Sequence, residues 1–292
     1  MGGKAVKDVS PLHNKELQST YEWVQHNILP ILGLSSEDSI TLGSFNKKPQ
    51  DQLSGDIDVA LNAKKYLDEG LKFEEISPSI NLILKESGFE TTLLKGFDQV
   101  SVKVPICGDS KNGYAQVDLM PSPDLRWAKF IYHSPNLKEN ESKYKGAARN
   151  ALLMALVSES SKENIKLFEE KVEEYNSLAI RFPTGLWNIK RSFKGKTGII
   201  KKGTVINADF ITRNPQEIIN IALGEGFKVD AANSFETLWE IIHRKGFVHK
   251  NKLNEIMSKF IVNLKSMQQE IPIELVNKYP QILRESLGDV NM

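Results

Sequence analysis

Thr41-Leu42-Gly43-Ser44-Phe45 and Ser54-Gly55-Asp56-Ile57-Asp58-Val59-Ala60-Leu61 decide how this chain is read, with eleven residues separating Ser44 from Asp56. The second segment is apolar and β-prone except for its two aspartates. On a strand, alternate side chains share a face, so Asp56 and Asp58 point one way and Ile57, Val59 and Leu61 the other, where a core can bury them. Aspartate is depleted in strands, so two in one short strand need a reason. A solvated strand edge is one. A site for Mg²⁺ carrying a nucleoside triphosphate, with the small Gly43-Ser44 step close by, is the other.

A third carboxylate stands in Gln116-Val117-Asp118-Leu119-Met120, where Asp118 faces away from Val117 and Leu119. It is either a turn acid at a strand end or, if this strand lies beside the first, the third member of a set that holds two Mg²⁺ ions.

Around these segments the expected order is helix, strand, helix, strand, strand, strand. Residues 14–33 have helical apolar spacing, disturbed at Pro30 and Gly33, and Ser39–Leu42 is a short strand. Residues 45–54 read as a loop or weak helix, and residues 64–87 as helix in two pieces broken near Ser77-Pro78. Phe89–Leu94, Gln99–Ile106 and Tyr114–Met120 read as strands. This order argues for an α+β fold with a mixed or antiparallel sheet rather than a doubly wound one. Residues 142–180 read as helical, residues 185–212 as extended with a turn at Gly195 and Gly198, and residues 215–292 as helices. The expected domains are 1–138, with the carboxylates, and 139–292, mainly helical with a basic β-hairpin-like insertion near 185–212.

Leu42-Gly43-Ser44, Asp56-Ile57-Asp58-Val59 and Val117-Asp118-Leu119 together resemble the DNA polymerase β-type nucleotidyltransferase superfamily over roughly residues 34–125. The long interval between Asp58 and Asp118 is more similar to its poly(A) polymerase and oligoadenylate synthetase branches. The resemblance implies a palm-like sheet with helices on one face and metal-dependent nucleotidyl transfer. Two Mg²⁺ ions (or Mn²⁺) would be held by Asp56, Asp58 and Asp118, with Asp118 also helping to deprotonate the acceptor hydroxyl. Gly43 would let the backbone approach the phosphates of the NTP, and Ser44 would bind them.

The resemblance also directs attention to Ser142-Lys143-Tyr144-Lys145-Gly146-Ala147-Ala148-Arg149-Asn150, since a Lys and an aromatic after the third Asp hold the incoming nucleotide in similar enzymes. On a helix Lys145 and Arg149 are i and i+4 and share a face. Lys143 lies beside them, and Tyr144 could stack on a base. A solvated basic helix face accounts for these residues equally well. Lys47 and Lys48 sit beside the Gly-Ser step and could touch phosphates. Residues 187–202 carry Lys190, Arg191, Lys194, Lys196, Lys201 and Lys202 with no acid, interleaved with Trp187 and Phe193. That pattern suits an RNA backbone with stacked bases, or less specifically DNA; a lysine-guarded hairpin edge also fits it.

Composition sets the remaining bounds. The 292 residues are 40% hydrophobic and 26% charged, with a net charge of +1, so any nucleic-acid affinity must come from local patches. Cys107 is the only cysteine, which excludes an intrachain disulfide and a cysteine zinc site and fits a reducing compartment. There is neither a signal-peptide core nor a membrane-length apolar run, and a soluble cytoplasmic protein is expected. His133 reads as a structural or surface residue, and His13, His26, His243 and His249 lack metal-ligand spacing. Walker A, dinucleotide-fingerprint, nucleophile-elbow and zinc-protease motifs are missing. The expected activity is transfer of a nucleoside monophosphate from an NTP to an acceptor hydroxyl, most plainly an RNA 3′ end. A small-molecule or protein acceptor, and a nucleotide-binding module without turnover, stay open.

Overall fold

The structure, a computed structural model, describes residues 5–94, 96, 98–136, 139, 141–168, 171–192 and 204–287. It divides into two compact units, Met1–Glu141 and Ser142–Met292.

The first unit contains β1 (Leu12–His13), α1 (Leu17–Asn27), β2 (Ser39–Thr41), β3 (Leu53–Ser54), β4 (Ile57–Asn62), α2 (Lys64–Asp68), α3 (Phe73–Glu86), β5 (Thr91–Leu94), β6 (Gln99–Pro105), β7 (Tyr114–Ser122) and α4 (Leu125–Ile131). Its five-stranded sheet runs β2-β4-β7-β6-β5, with β4 and β7 parallel and every other pairing antiparallel. The sheet is therefore mixed and the fold α+β.

Alternation explains its layers. Ile57, Val59 and Leu61 of β4, Val117 and Leu119 of β7, and Val100, Val102 and Val104 of β6 all turn to one face and are buried there. Leu17, Tyr21 and Val24 of α1 and Ile76, Ile80 and Leu84 of α3 recur at helical spacing and close that face. Each such aliphatic side chain contributes about 1.5–3 kcal/mol on leaving water. On the opposite face Leu42, Ala60 and Ala128 form a small second cluster with Met120, Leu125 and Tyr132, so α4 covers part of the sheet and leaves the rest to the carboxylates. Pro121, Pro123 and Pro135 mark this stretch as a loop-rich crossing in the sequence, yet it contains α4, whose Asp124 N-cap accepts from the N–H groups of Arg126 and Trp127.

One boundary moves. The helical stretch 64–87 breaks between α2 and α3, at Gly70 with φ +91°, and not at Ser77-Pro78, because Pro78 is carried inside α3. Glycine takes that left-handed conformation without the penalty a side chain would incur.

The second unit contains α5 (Gly146–Ser160), β8 (Glu163–Phe168), β9 (Lys171–Arg181), β10 (Gly185–Ser192), β11 (Thr204–Thr212), α6 (Pro215–Leu223), α7 (Phe235–His243), α8 (Leu253–Ser266), α9 (Ile273–Lys278) and α10 (Pro280–Leu287). The four strands form one antiparallel sheet in the order β11-β10-β9-β8. The expected helix over 142–180 is thus corrected: it ends at Ser160, and residues from Glu163 onward are strands. The short connection after Arg181 brings Gly185–Ser192 back against Glu174–Arg181 in unbroken register, and that pairing overrides the local helical spacing. No described helix is long and apolar enough to cross a membrane.

Candidate active site

Parallel pairing of β4 and β7 sets Asp58 directly beside Asp118, with Ile57 beside Val117 and Val59 beside Leu119. The apolar neighbours enter the core, and the two aspartates emerge on the other face. Asp56 lies just before β4 on the same side. One carboxylate oxygen from each of Asp56, Asp58 and Asp118 can be chosen so that all lie within 4.8 Å of one another.

Like charges this close, half out of water, resist ionisation together. Burial first, then the neighbouring Asp56 and Asp118, push the Asp58 carboxyl up to about 8, against some relief from Lys48. Burial also pushes Asp118 up to about 6, with Asp56 adding to it and hydrogen bonds from Ser101, Gln116 and Gln99 opposing it. Ser101 Oγ donates to Asp118 Oδ1 at 2.6 Å, and Gln116 Nε2 donates to the same oxygen at 2.8 Å.

The Gly43 turn closes over this group. Leu42 N–H donates to the Asp58 carbonyl, and Gly43 N–H to that of Tyr132. Gly43 has φ +59°, and a Cβ there would lie 2.9 Å from Asp58 Oδ2. Only glycine brings the backbone so near the carboxylate without strain. Ser44 follows in a turn, and the connection to β3 contains turns and no helix, so residues 45–52 are a loop.

The two lysines of this loop diverge. Lys48 Nζ donates to Ser54 Oγ at 3.2 Å and to the Leu53 carbonyl at 3.3 Å. Lys47 Nζ donates to the Ser134 carbonyl and lines a pocket of about 130 Å³ together with Gly43, Lys129, Tyr132 and His133. Burial lowers the Lys47 pKa, and the Lys129 charge lowers it further against the pull of Glu141. His133 forms a backbone bridge with Gly43 and, partly buried, lines the same pocket.

The donor set suits a hard divalent cation. Three carboxylates converge on one region, where burial and their mutual repulsion raise the Asp58 pKa, and a cation held between them would relieve that repulsion. Asp56, Asp58 and Asp118 are the residues that would hold Mg²⁺ or Mn²⁺.

The basic residues after Asp118 are placed differently from expectation. Tyr144 and Lys145 precede α5, which begins at Gly146 with Lys145 as its exposed N-cap. Tyr144 packs edge-on against Phe235, and its hydroxyl donates to Glu274. Lys143 N–H donates to Glu236. Arg149 is corrected outright: it is 1% exposed, its Nε donates to the Ala232 carbonyl and its Nη1 to Asn150 Oδ1, so it offers no solvent face in common with Lys145. Burial lowers its pKa to about 9. In the basic segment, Lys190 pairs with Glu174 at 2.9 Å and Trp187 packs edge-on against Phe210. Phe193, Lys194, Lys196, Lys201 and Lys202 lie outside the described residues.

Sequence reasoning missed Ser101 and Gln116. Gln116 carried a usable signal, since it stands two residues before Asp118 on one strand and shares its face. Ser101 carried little beyond its place between Val100 and Val102.

No protein-family model and no curated protein matches the chain. Among solved structures it is similar to the Cid1 poly(U) polymerase with Mg and 3′-dATP (TM-score 0.28, 16% identity, 53% of this chain and 44% of that one). It is also similar to a cytoplasmic RNA terminal U-transferase (TM-score 0.26, 15% identity, 57% and 61%) and to Cid1 with its short product ApU (TM-score 0.24, 12% identity, 94% and 93%). The match thus spans about half the length of the first of these structures and three fifths of the second.

Proposed function

We propose that this chain is a nucleotidyltransferase, moving a nucleoside monophosphate from an NTP to an acceptor hydroxyl with release of pyrophosphate. The observation that carries this reading is the close set of Asp56, Asp58 and Asp118 beneath the Gly43 turn. In the reaction the acceptor oxygen forms a bond to the α-phosphorus. The bond from that phosphorus to the bridging oxygen breaks, and pyrophosphate leaves with the electron pair. Asp118 takes the hydroxyl proton and passes it to solvent. Gly43 and Ser44 present backbone and hydroxyl to the triphosphate, with Lys47 and Lys129 at the adjoining pocket. Mg²⁺ or Mn²⁺, when bound, neutralises phosphate charge and makes the acceptor hydroxyl more acidic. Most of the acceleration then comes from positioning and electrostatics.

An RNA 3′ end is the preferred acceptor. Its support is the basic and aromatic sequence of residues 187–202, flanked by a large helical region. The decisive assay incubates the protein with each labelled NTP, Mg²⁺ or Mn²⁺ and pooled RNA, beside the Asp56→Asn/Asp58→Asn variant. Label on RNA from the wild type alone is the expected result. Label on protein or small molecules with RNA untouched would replace the acceptor. No labelled product under any condition would leave a nucleotide-binding module.

A further inference from the structure

We infer that Gln116 is a positioning residue for Asp118, and that the amino-terminal segment at Ala5-Val6 sets its orientation. The inference rests on the reading of Asp118 as a metal ligand and adds the parts that aim it.

Gln116 is 2% exposed. Its Oε1 accepts from Ala5 N–H at 2.8 Å and Val6 N–H at 3.3 Å. Backbone N–H groups only donate, so the atom they meet must be the amide oxygen. Nε2 is thereby turned toward Asp118 Oδ1 at 2.8 Å and Ser101 Oγ at 3.4 Å. A flipped amide would set its NH₂ against two N–H groups and strip Asp118 of a donor. Ser101 Oγ, fully buried, donates to the same Oδ1 at 2.6 Å. Two donors converging on one oxygen fix the plane of the carboxylate before any ligand arrives.

The segment that turns Gln116 is itself secured. Thr92 Oγ1 donates to the Ala5 carbonyl at 2.9 Å, Val6 is 7% exposed, and Ser10 N–H donates to the Tyr114 carbonyl at 2.8 Å. Thr92 pairs with Ser101, and Ser101 with Asp118, so these three residues form one row across β5, β6 and β7. Ala5 is anchored at the β5 end of this row, and its N–H meets the Gln116 side chain that in turn meets Asp118. Ligating carboxylates depend on such outer hydrogen bonds, and losing one typically weakens metal affinity by about 10- to 100-fold.

The test is a Mn²⁺ titration followed by electron paramagnetic resonance on the full chain, with urea midpoints taken in EDTA. Gln116→Met keeps the volume but removes both hydrogen-bonding ends. Ala5→Pro removes one backbone donor at the edge of the fold, and Ala5→Ser keeps it. Expected are a roughly tenfold weaker Mn²⁺ affinity for Gln116→Met, a smaller loss for Ala5→Pro, and none for Ala5→Ser. The double variant should be no weaker than Gln116→Met alone, because both changes cut one chain of contacts. Affinity of Gln116→Met within twofold of wild type, or additive losses in the double variant, would overturn the inference. If Gln116→Met does not fold, Ala5→Pro decides: equal affinity to Ala5→Ser overturns it. A wild type that binds Mn²⁺ no better than Asp56→Asn/Asp58→Asn would instead sink the underlying metal-site reading, and the inference with it.

Discussion

Asp58 and Asp118 occupy one rung of the parallel β4–β7 pair, so two carboxylates from distant parts of the sequence meet with no intervening side chain. Both carboxyls are pushed up, to about 8 and about 6 against an ordinary 3.8. The folded protein therefore holds protons that the unfolded chain releases. The stability this gives is complete below the ordinary carboxylate range and is lost as pH rises toward 8. In EDTA, the thermal midpoint should fall between pH 5 and pH 8, by at least about 5 °C. Asp58→Asn should flatten most of that fall, and Mn²⁺ should restore the midpoint of the wild type but not of the variant. Thermal scans at a series of pH values check this.

Gly43→Ala should separate stability from activity. Its Cβ would stand 2.9 Å from Asp58 Oδ2 at a positive φ. The left-handed conformation costs about 1–2 kcal/mol, which urea unfolding can measure. Displacing the carboxylate or the turn should cost at least about 100-fold in kcat/KM. A variant with wild-type turnover would show that the turn does not approach the reacting groups.

Arg149→Ala should destabilise the second unit rather than weaken nucleotide binding. It leaves a cavity and removes the donors that reach the Ala232 carbonyl and Asn150 Oδ1. A loss of about 3 kcal/mol is expected. At a temperature where both proteins are folded, KM for the NTP should stay within about twofold, a change of less than 0.5 kcal/mol.

Lys47→Gln should do the reverse. Lys47 lines the pocket at Gly43 and is held there by the Ser134 carbonyl. If the triphosphate uses this pocket, KM rises about tenfold, equivalent to about 1.4 kcal/mol, while the urea midpoint changes little. Steady-state kinetics against NTP concentration, beside urea unfolding of the same variant, checks this.

The carboxylate set was legible because strand alternation is a short-range rule: Asp56-Ile57-Asp58 and Val117-Asp118-Leu119 each announce their face within a few residues. That the two strands are neighbours, parallel and in register was not legible, because pairing is decided by partners far away. The same limit explains the helix expected over 142–180. Leu152 and Leu156 do lie on α5, but residues from Glu163 onward are claimed by strand partners that local spacing does not reveal. Arg149 failed for a related reason. The i, i+4 rule says which residues share a helix face, and it is silent on whether that face meets water. Gln116 was visible beside Asp118, yet its role needed Ala5 and Val6, whose approach only the fold supplies.

The parallel pairing of β4 with β7 has a kinetic consequence. A hairpin can close early and locally, but a parallel pair cannot form until the intervening chain, here α2, α3, β5 and β6, has turned back on itself. Long-range closure of this kind is slow. Asp58 and Asp118 are therefore expected to meet only after that closure, so the three-carboxylate cluster should be missing from chains in which the first unit is partly folded.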